Sequence, residues 1–238
     1  MPDISAIRGI LFDKDGTLID FNQSWFSILM GLARAAAKGD EDAARELVTR
    51  GGYDWDAERF VGGSVIAAGT TAELVSLWHP ELTPDAVRQR ATHYEDLVNA
   101  QITHTAVEIP GLTETLEELL ALGYVLGIAT NDSEAGARAM AESSGITNLM
   151  AAIIGYDSVA RAKPYPDQLH LFAEKTGLPP SAIAMVGDNL HDLEMARAGG
   201  AGLAIGVLSG NSTRAELAAH ADIILDSIAD LRGLFTGV

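Results

Sequence analysis

The sequence predicts an α/β protein, a doubly wound parallel sheet interrupted after its first strand by a small all-helical insertion. Residues 107–238 alternate short continuous apolar runs with amphipathic stretches, the texture of strands buried on both faces of a parallel sheet and of the helices that cross over it. A further apolar run, Ile7 to Phe12, stands alone near the start of the chain. Residues 21–104, which separate it from the others, carry helical spacing and no convincing strand.

Taken in order, Ile7-Arg8-Gly9-Ile10-Leu11-Phe12 is the first strand of that sheet. The insertion follows, with helical spacing at Trp25, Leu29, Leu32 and Ala36, at Ala43, Leu47 and Val48, at Leu74, Leu77 and Trp78, and at Val87, Ala91, Tyr94 and Val98. Gly51-Gly52 and Gly62-Gly63 punctuate it, and Thr83-Pro84 is an N-cap followed by proline at the first helical position. Helices are then predicted over Thr113–Leu122, Ser133–Ser144 and Pro166–Thr176, each stopped by the next residue, Gly123, Gly145 or Gly177. Strands are predicted over Tyr124–Ala129, Ala151–Ile154, Ile183–Val186, Leu203–Ile205 and Ile223–Leu225. Strand, helix and strand in repetition imply parallel crossovers. The expected domains are a core of residues 1–20 and 105–238 and a helical cap of residues 21–104, seated over the carboxyl ends of the strands, where such sheets bind ligands.

Composition narrows the function classes. A chain of 238 residues with 47% hydrophobic and 21% charged residues can bury a core. Sixteen Lys+Arg against thirty-three Asp+Glu give a net charge of -17, a field that repels phosphate backbones and anionic membranes. Nucleic acid and membrane are therefore not expected partners. Cysteine is absent, so a metal must sit on oxygen or imidazole. The N-terminus lacks a basic region ahead of an apolar run, and no stretch has the length of a membrane span. A cytoplasmic protein, monomer or homodimer, is expected.

Chemistry-bearing residues recur at the predicted strand ends. Asp13-Lys14-Asp15-Gly16-Thr17-Leu18 leaves the first strand. Alternation sends Asp13 and Asp15 toward one site and Lys14 away, and Gly16 permits a sharp turn that lets backbone N–H groups approach an anion. Paired carboxylates can divide the roles of nucleophile and general acid/base. Thr130-Asn131-Asp132 offers a hydroxyl and backbone donors ahead of a helix N-terminus. Lys163, one of four lysines with Lys14, Lys38 and Lys175, lies in a proline-stiffened loop and is a candidate phosphate clamp. Gly187-Asp188-Asn189-Leu190-His191-Asp192 places two carboxylates four residues apart, on one face if a helix begins there. Carboxylate oxygens with substrate phosphate and waters suit Mg2+.

These four signals, in this order, resemble the haloacid dehalogenase superfamily, specifically its phosphatases with a helical cap after the first motif. Asp13-Lys14-Asp15-Gly16-Thr17-Leu18-Ile19-Asp20, Pro110-Gly111-Leu112 and the segment from Gly206 onward bring it nearest to the phosphoglycolate phosphatase-like group. The resemblance implies a Mg2+-dependent phosphatase acting on a small phosphorylated metabolite, phosphoglycolate-like or a sugar phosphate, through an aspartyl-phosphate. It implies Asp13 as nucleophile, Asp15 as general acid/base, and Thr130, Asn131 and Lys163 as phosphate ligands. Asp13, the Asp15 carbonyl and Asp188 would hold the metal, with Gly16 and Asp192 in support.

Relatives sharpen the expectation. Dehalogenases of the superfamily lack the second aspartate, so Asp15 argues for phosphoryl chemistry. Phosphoglucomutase-like transferases carry a histidine shortly after the first motif, and Asp20 to Trp25 has none. The cap lysine of phosphonatases has only Lys38 as a counterpart, at a predicted solvated helix end. A catalytically silent binding module on the same fold is the other alternative. The cap is expected to set specificity, with Arg34, Arg45, Arg50, Arg59, Arg88 and Arg90 as its possible anion contacts; His79, His93 and His104 are expected to be structural or solvated.

Overall fold

Strand β1 (Gly9–Phe12) is buried at every position, which its unbroken apolar sequence requires. A computed structural model of the chain describes residues 4–236, with residues 99–105 described as backbone only. After β1 come helices α1 (Phe21–Ala36) and α2 (Glu41–Gly51), strands β2 (Tyr53–Asp54) and β3 (Arg59–Phe60), and helices α3 (Val65–Ala68), α4 (Thr71–Trp78) and α5 (Pro84–Thr105). Then α6 (Leu112–Ala121), β4 (Val125–Ala129), α7 (Glu134–Ser143), β5 (Ala152–Ile154), α8 (Asp167–Thr176), β6 (Ile183–Gly187) and α9 (Leu190–Gly199) alternate. The chain closes with β7 (Leu203–Val207), α10 (Arg214–Leu217), β8 (Ile223–Leu225) and α11 (Leu231–Phe235).

The six core strands form one sheet in the order β5-β4-β1-β6-β7-β8, every pairing parallel. Alternation splits its side chains between two clusters. Ile10, Phe12, Leu126, Ile128, Val186 and Ile205 pack with α6, α7 and α11 on one face. Leu11, Met185 and Ala204 pack with α8 and α9 on the other. Gly127 has a packing reason on that second face: a Cβ there would lie 2.4 Å from Phe172, so only glycine lets this buried ring lie on the sheet. The chain builds outward from β1 through β4 to β5, then returns to the other side of β1 with β6. Beside β1 its direction across the sheet reverses, the place where ligands bind in open α/β sheets.

Residues 21–105 gather round a separate apolar cluster that includes Ile28, Leu32, Val48, Phe60, Val75, Trp78 and Tyr94. Its helices begin where polar side chains cap them: Asp20 accepts from the Gln23 N–H, Asp40 from the Ala43 N–H, and Thr70 with Glu73 closes a capping box. The chain enters and leaves this region side by side, with the Asp20 N–H donating to the Val107 carbonyl at 2.7 Å and the Ile109 N–H to the Leu18 carbonyl at 3.0 Å.

The region is not all helical, which corrects the sequence-based expectation. β2 and β3 form an antiparallel pair. The Asp54 carboxylate accepts from the backbone N–H groups of Asp56 and Ala57, and Phe26, Trp55 and Phe60 pack tilted or edge-on against Tyr53. Two-residue strands are too short to show alternation, so the hairpin leaves no periodic signal.

Candidate active site

The loops leaving β1, β4, β5 and β6 meet over the carboxyl edge of the sheet. Asp13 continues the pairing of β1, its N–H donating to the Val186 carbonyl at 2.8 Å, and its side chain lines a cleft. Lys163, carried from beyond β5, reaches that side chain: its ammonium donates to Asp13 Oδ1 at 2.6 Å, to Asp192 Oδ1 at 2.6 Å and to the Ala129 carbonyl at 3.0 Å. Asn131 holds the Lys163 backbone in place, accepting from its N–H at 3.1 Å and donating to its carbonyl at 3.1 Å. The same amide donates to the Ala68 carbonyl at 2.7 Å, linking the strand-end loops to α3.

Asp188 follows β6 and accepts from the Asn211 N–H at 2.9 Å. Gly16 has φ +81°, and a Cβ there would lie 2.6 Å from Asp188 Oδ2. Both its turn and its close approach to that carboxylate therefore require glycine. The helix after β6 begins at Leu190 with Asn189 as N-cap and Asp192 as its capping-box partner. Asp188 thus precedes the helix and does not share a face with Asp192; the two converge because the strand end and the first turn point at the same cleft. Oxygen atoms of Asp13, Asp188 and Asp192 lie within 4.8 Å of one another, all three residues being buried.

Burial and charge strain this cluster. Desolvation pushes the Asp13 carboxyl up to about 6 despite Lys163. Asp188 is raised well above the usual carboxylate range by burial and by repulsion from Asp13 and Asp192. Burial alone would lower the Lys163 ammonium, but Asp13 and Asp192 outweigh it and hold the charge above its ordinary value. Three carboxylates round one lysine leave uncompensated negative charge, and a divalent cation with hard oxygen ligands would neutralise it. The donor set fits such an ion.

Asp15 sits beside this cluster in a second network. Lys14 does not turn away as alternation predicts for its side chain: it is wholly buried, with its ammonium 2.6 Å from Asp15 Oδ2 and 3.1 Å from Asp132 Oδ2. It also lies 4.9 Å from the centre of the Trp25 ring, whose indole N–H donates to Asp15 Oδ1. Burial raises the Asp15 carboxyl above its usual range. Thr130 places its hydroxyl at the same cleft, where it accepts from the Asp132 N–H at 3.0 Å and keeps its own proton to donate.

Residue identity alone did not point to Trp25, Asp132, Asn211 or His191 as part of this site. Trp25 has the spacing of a core residue, and Asn211 is brought in by tertiary contact, its side chain accepting from Asn22 at 2.9 Å. Of the insertion's cations, Arg34 pairs with Glu41, Arg88 with Asp85, Arg50 donates to the Leu77 carbonyl and Arg45 stacks on Trp55. Neither these nor Arg59 and Arg90 line the cleft. Lys38 is exposed at the end of α1. His79 meets the Tyr94 hydroxyl at 2.9 Å, His93 is exposed, and the side chain of His104 lies outside the described residues. No described helix is long and apolar enough to cross a membrane.

Against known proteins, residues 7–200 match the family described as haloacid dehalogenase-like hydrolase. "Probable phosphatase IndB" of Dickeya dadantii (strain 3937) is 32% identical over 225 residues, covering 94% of this chain and 91% of that protein. A phosphoglycolate phosphatase of Yersinia pestis is 30% identical over 97% of this chain and 94% of its own length. Among solved structures, that of a predicted phosphoglycolate phosphatase from Haemophilus somnus 129pt superposes with a TM-score of 0.71 at 23% identity, over 96% of this chain and 98% of that one.

Proposed function

The chain belongs to the haloacid dehalogenase-like hydrolase family, and on that premise we propose that it is a Mg2+-dependent phosphatase that hydrolyses a small phosphorylated metabolite through an aspartyl-phosphate on Asp13. The observation that carries the proposal is the buried cluster in which one ammonium, Lys163, touches Asp13 and Asp192 while Asp188 faces the same space. An isolated carboxylate cluster of this kind is unfavourable on its own, and its arrangement suits an ion and a phosphoryl group in place of bulk water.

In this reading a carboxylate oxygen of Asp13 forms a bond to phosphorus as the bond from phosphorus to the ester oxygen breaks. Asp15 gives its proton to the departing oxygen, releasing the alcohol. The Asp15 carboxylate then takes a proton from water, whose oxygen attacks phosphorus and restores free Asp13, so that ester and water become alcohol and inorganic phosphate. Thr130, the Asn131 N–H and Lys163 bind the phosphoryl oxygens. Asp13, the Asp15 carbonyl and Asp188 would hold Mg2+, which supplies charge neutralisation between the nucleophile and the dianionic substrate. Gly16 and Asp192 keep Asp188 and Lys163 in position.

Residues 1–20 and 105–238 form the catalytic core in this proposal, and 21–104 the cap that closes over the ester. The enzyme is placed in the cytoplasm, as monomer or homodimer, acting on small molecules. Phosphoglycolate, named for several relatives, and sugar phosphates are the esters a first screen includes. The test is hydrolysis of p-nitrophenyl phosphate: activity should require Mg2+, disappear in EDTA and return on adding the ion. Full activity in chelator would overturn the proposal.

A further inference from the structure

The wall of the cleft that faces the leaving group is built differently from its catalytic floor. Phe21, Trp25 and Leu29 of α1, Val65 and Ile66 of α3 and Leu74 of α4 line it. The polar side chains at the start of α4 that share this wall are already hydrogen-bonded. The Thr70 hydroxyl and Glu73 close the α4 cap on each other, Thr71 hydrogen bonds Glu95, and His191 Nδ1 lies 3.2 Å from the Ala68 carbonyl. No arginine lines the cleft among the described residues, and Lys163 is its one lining lysine. Asp13, Asp15, Asp132, Asp188 and Asp192 outnumber the two ammonium groups that reach them, Lys14 and Lys163. Even a divalent cation leaves no surplus positive charge once the phosphoryl group arrives.

We infer that the alcohol released from this site is uncharged and predominantly apolar, an aryl-bearing or alkyl alcohol in place of a hydroxy acid or a sugar. The inference rests on the phosphatase reading and names its substrate class. A carboxylate on the leaving group would lose its hydration against Phe21, Leu29 and Ile66 with no cation to receive it, and it would face the five aspartates across a short, poorly screened distance. A sugar would lose hydrogen bonds to water without finding unoccupied partners on this wall. An apolar skeleton gains by leaving water, and the half-buried Trp25, which lines the cleft with its indole N–H on Asp15, adds aromatic surface next to the proton donor.

Three esters of primary alcohols separate these classes: benzyl phosphate, glucose 6-phosphate and phosphoglycolate, assayed with Mg2+. Benzyl phosphate should lead phosphoglycolate in kcat/KM by about 10²-fold, the scale on which a pocket rejects an ill-matched group, with glucose 6-phosphate between them. In calorimetry on the Mg2+-loaded protein, benzylphosphonate should bind more tightly than phosphonoacetate. Val65→Arg, at the half-buried rim, should narrow the lead by supplying the missing cation. A lead of less than tenfold for benzyl phosphate over either competitor would overturn the inference while leaving the phosphatase reading in place. Hydrolysis of none of the three, with or without Mg2+, would overturn the phosphatase reading itself.

Discussion

Lys163 and Arg34 carry the same charge, and their surroundings mark the difference between the strand-end side of the cleft and the insertion. Lys163 is buried with Asp13 and Asp192 each 2.6 Å from its ammonium. Arg34 meets Glu41 at 2.8 Å, but the two side chains are 51% and 60% exposed. Removing one member of a buried, hydrogen-bonded set strands charge at a cost of several kcal/mol, whereas an exposed pair contributes about 0–1 kcal/mol. On the proposed mechanism, charge on the sheet side is committed to chemistry. Charge on the insertion is committed to solvation, and what the insertion presents to the ligand is apolar surface. On that reading, reaction type and substrate choice are held by different physical forces in different regions of one chain.

The largest effects should come from the first motif, and they should not be equal. If Asp13 is the nucleophile as proposed, Asp13→Asn should abolish turnover of every ester, because no other group would replace it. Asp15→Asn is expected to lower kcat by about 10²–10⁴-fold on alkyl esters and less on activated aryl esters, whose leaving group needs no proton. Because dephosphorylation also needs the base, intact-mass measurement after acid quench should find one added phosphoryl group on the Asp15→Asn protein. Equal losses on both ester types with no adduct would contradict the division of labour.

Trp25 crosses the boundary, belonging to the insertion by sequence and to Asp15 by hydrogen bond. On the proposed mechanism it positions Asp15 as well as lining the cleft, and Trp25→Phe keeps the ring while removing the donor. A drop in kcat of roughly tenfold on alkyl esters is expected, in line with loss of a hydrogen bond to a charged group, with KM nearly unchanged and a smaller drop on aryl esters. A change in KM alone would leave Trp25 with only its place in the apolar wall and sharpen the separation of the two regions.

The strain of the carboxylate cluster gives a stability test of smaller size. Burial raises Asp13 from 3.8 to about 6, so between those values the folded state binds the proton that the unfolded state releases. Stability from this source is present at low pH and lost as pH rises through about 6, and Asp188 is shifted in the same direction. In EDTA, Asp188→Asn should therefore melt at nearly the parent's temperature at pH 4 and several degrees above it at pH 7, given about 1–3 kcal/mol of relieved repulsion and roughly 2–4 °C per kcal/mol. Saturating Mg2+ should abolish or reverse the difference. A variant less stable than the parent at pH 7 in EDTA would show that Asp188 is not strained.

How much of this could be read from the residues follows the same boundary. The strands were legible because burial on both faces demands unbroken apolar runs such as Ile183 to Val186, and the helix stops because glycine adopts the left-handed backbone that Gly177 shows. The strand-end residues Asp13, Thr130, Lys163 and Asp188 stood out as polar groups at fixed places in an apolar rhythm, and the structure brings them to one cleft. The insertion was legible only as helices. Its contribution to the cleft comes from ordinary core types, Phe21, Leu29 and Leu74, which differ from buried neighbours only in tertiary position. Lys14 was misread because alternation fixes the direction of Cβ and not the end of a long side chain, which here returns to Asp15. Asn211 joins the site across 189 residues from Asn22, a separation no local pattern spans.

The smallest expected effect is the one that most directly guards the comparison. Arg34 and Arg88 were both candidate anion contacts, and both pair at the surface, Arg88 with Asp85 at side-chain exposures of 69% and 80%. If the insertion's charges serve solvation, Arg34→Ala and Arg88→Ala should each change stability by less than about 0.5–1 kcal/mol. They should also leave kcat/KM for benzyl phosphate, glucose 6-phosphate and phosphoglycolate within about twofold, since neither arginine lines the cleft and exposed charges are screened by salt. Raising the ionic strength should shrink whatever stability change is seen, as it does for exposed pairs. A selective loss on phosphoglycolate in either variant would mean that an arginine of the insertion reaches the ligand after all, and the division between charged floor and apolar wall would no longer hold.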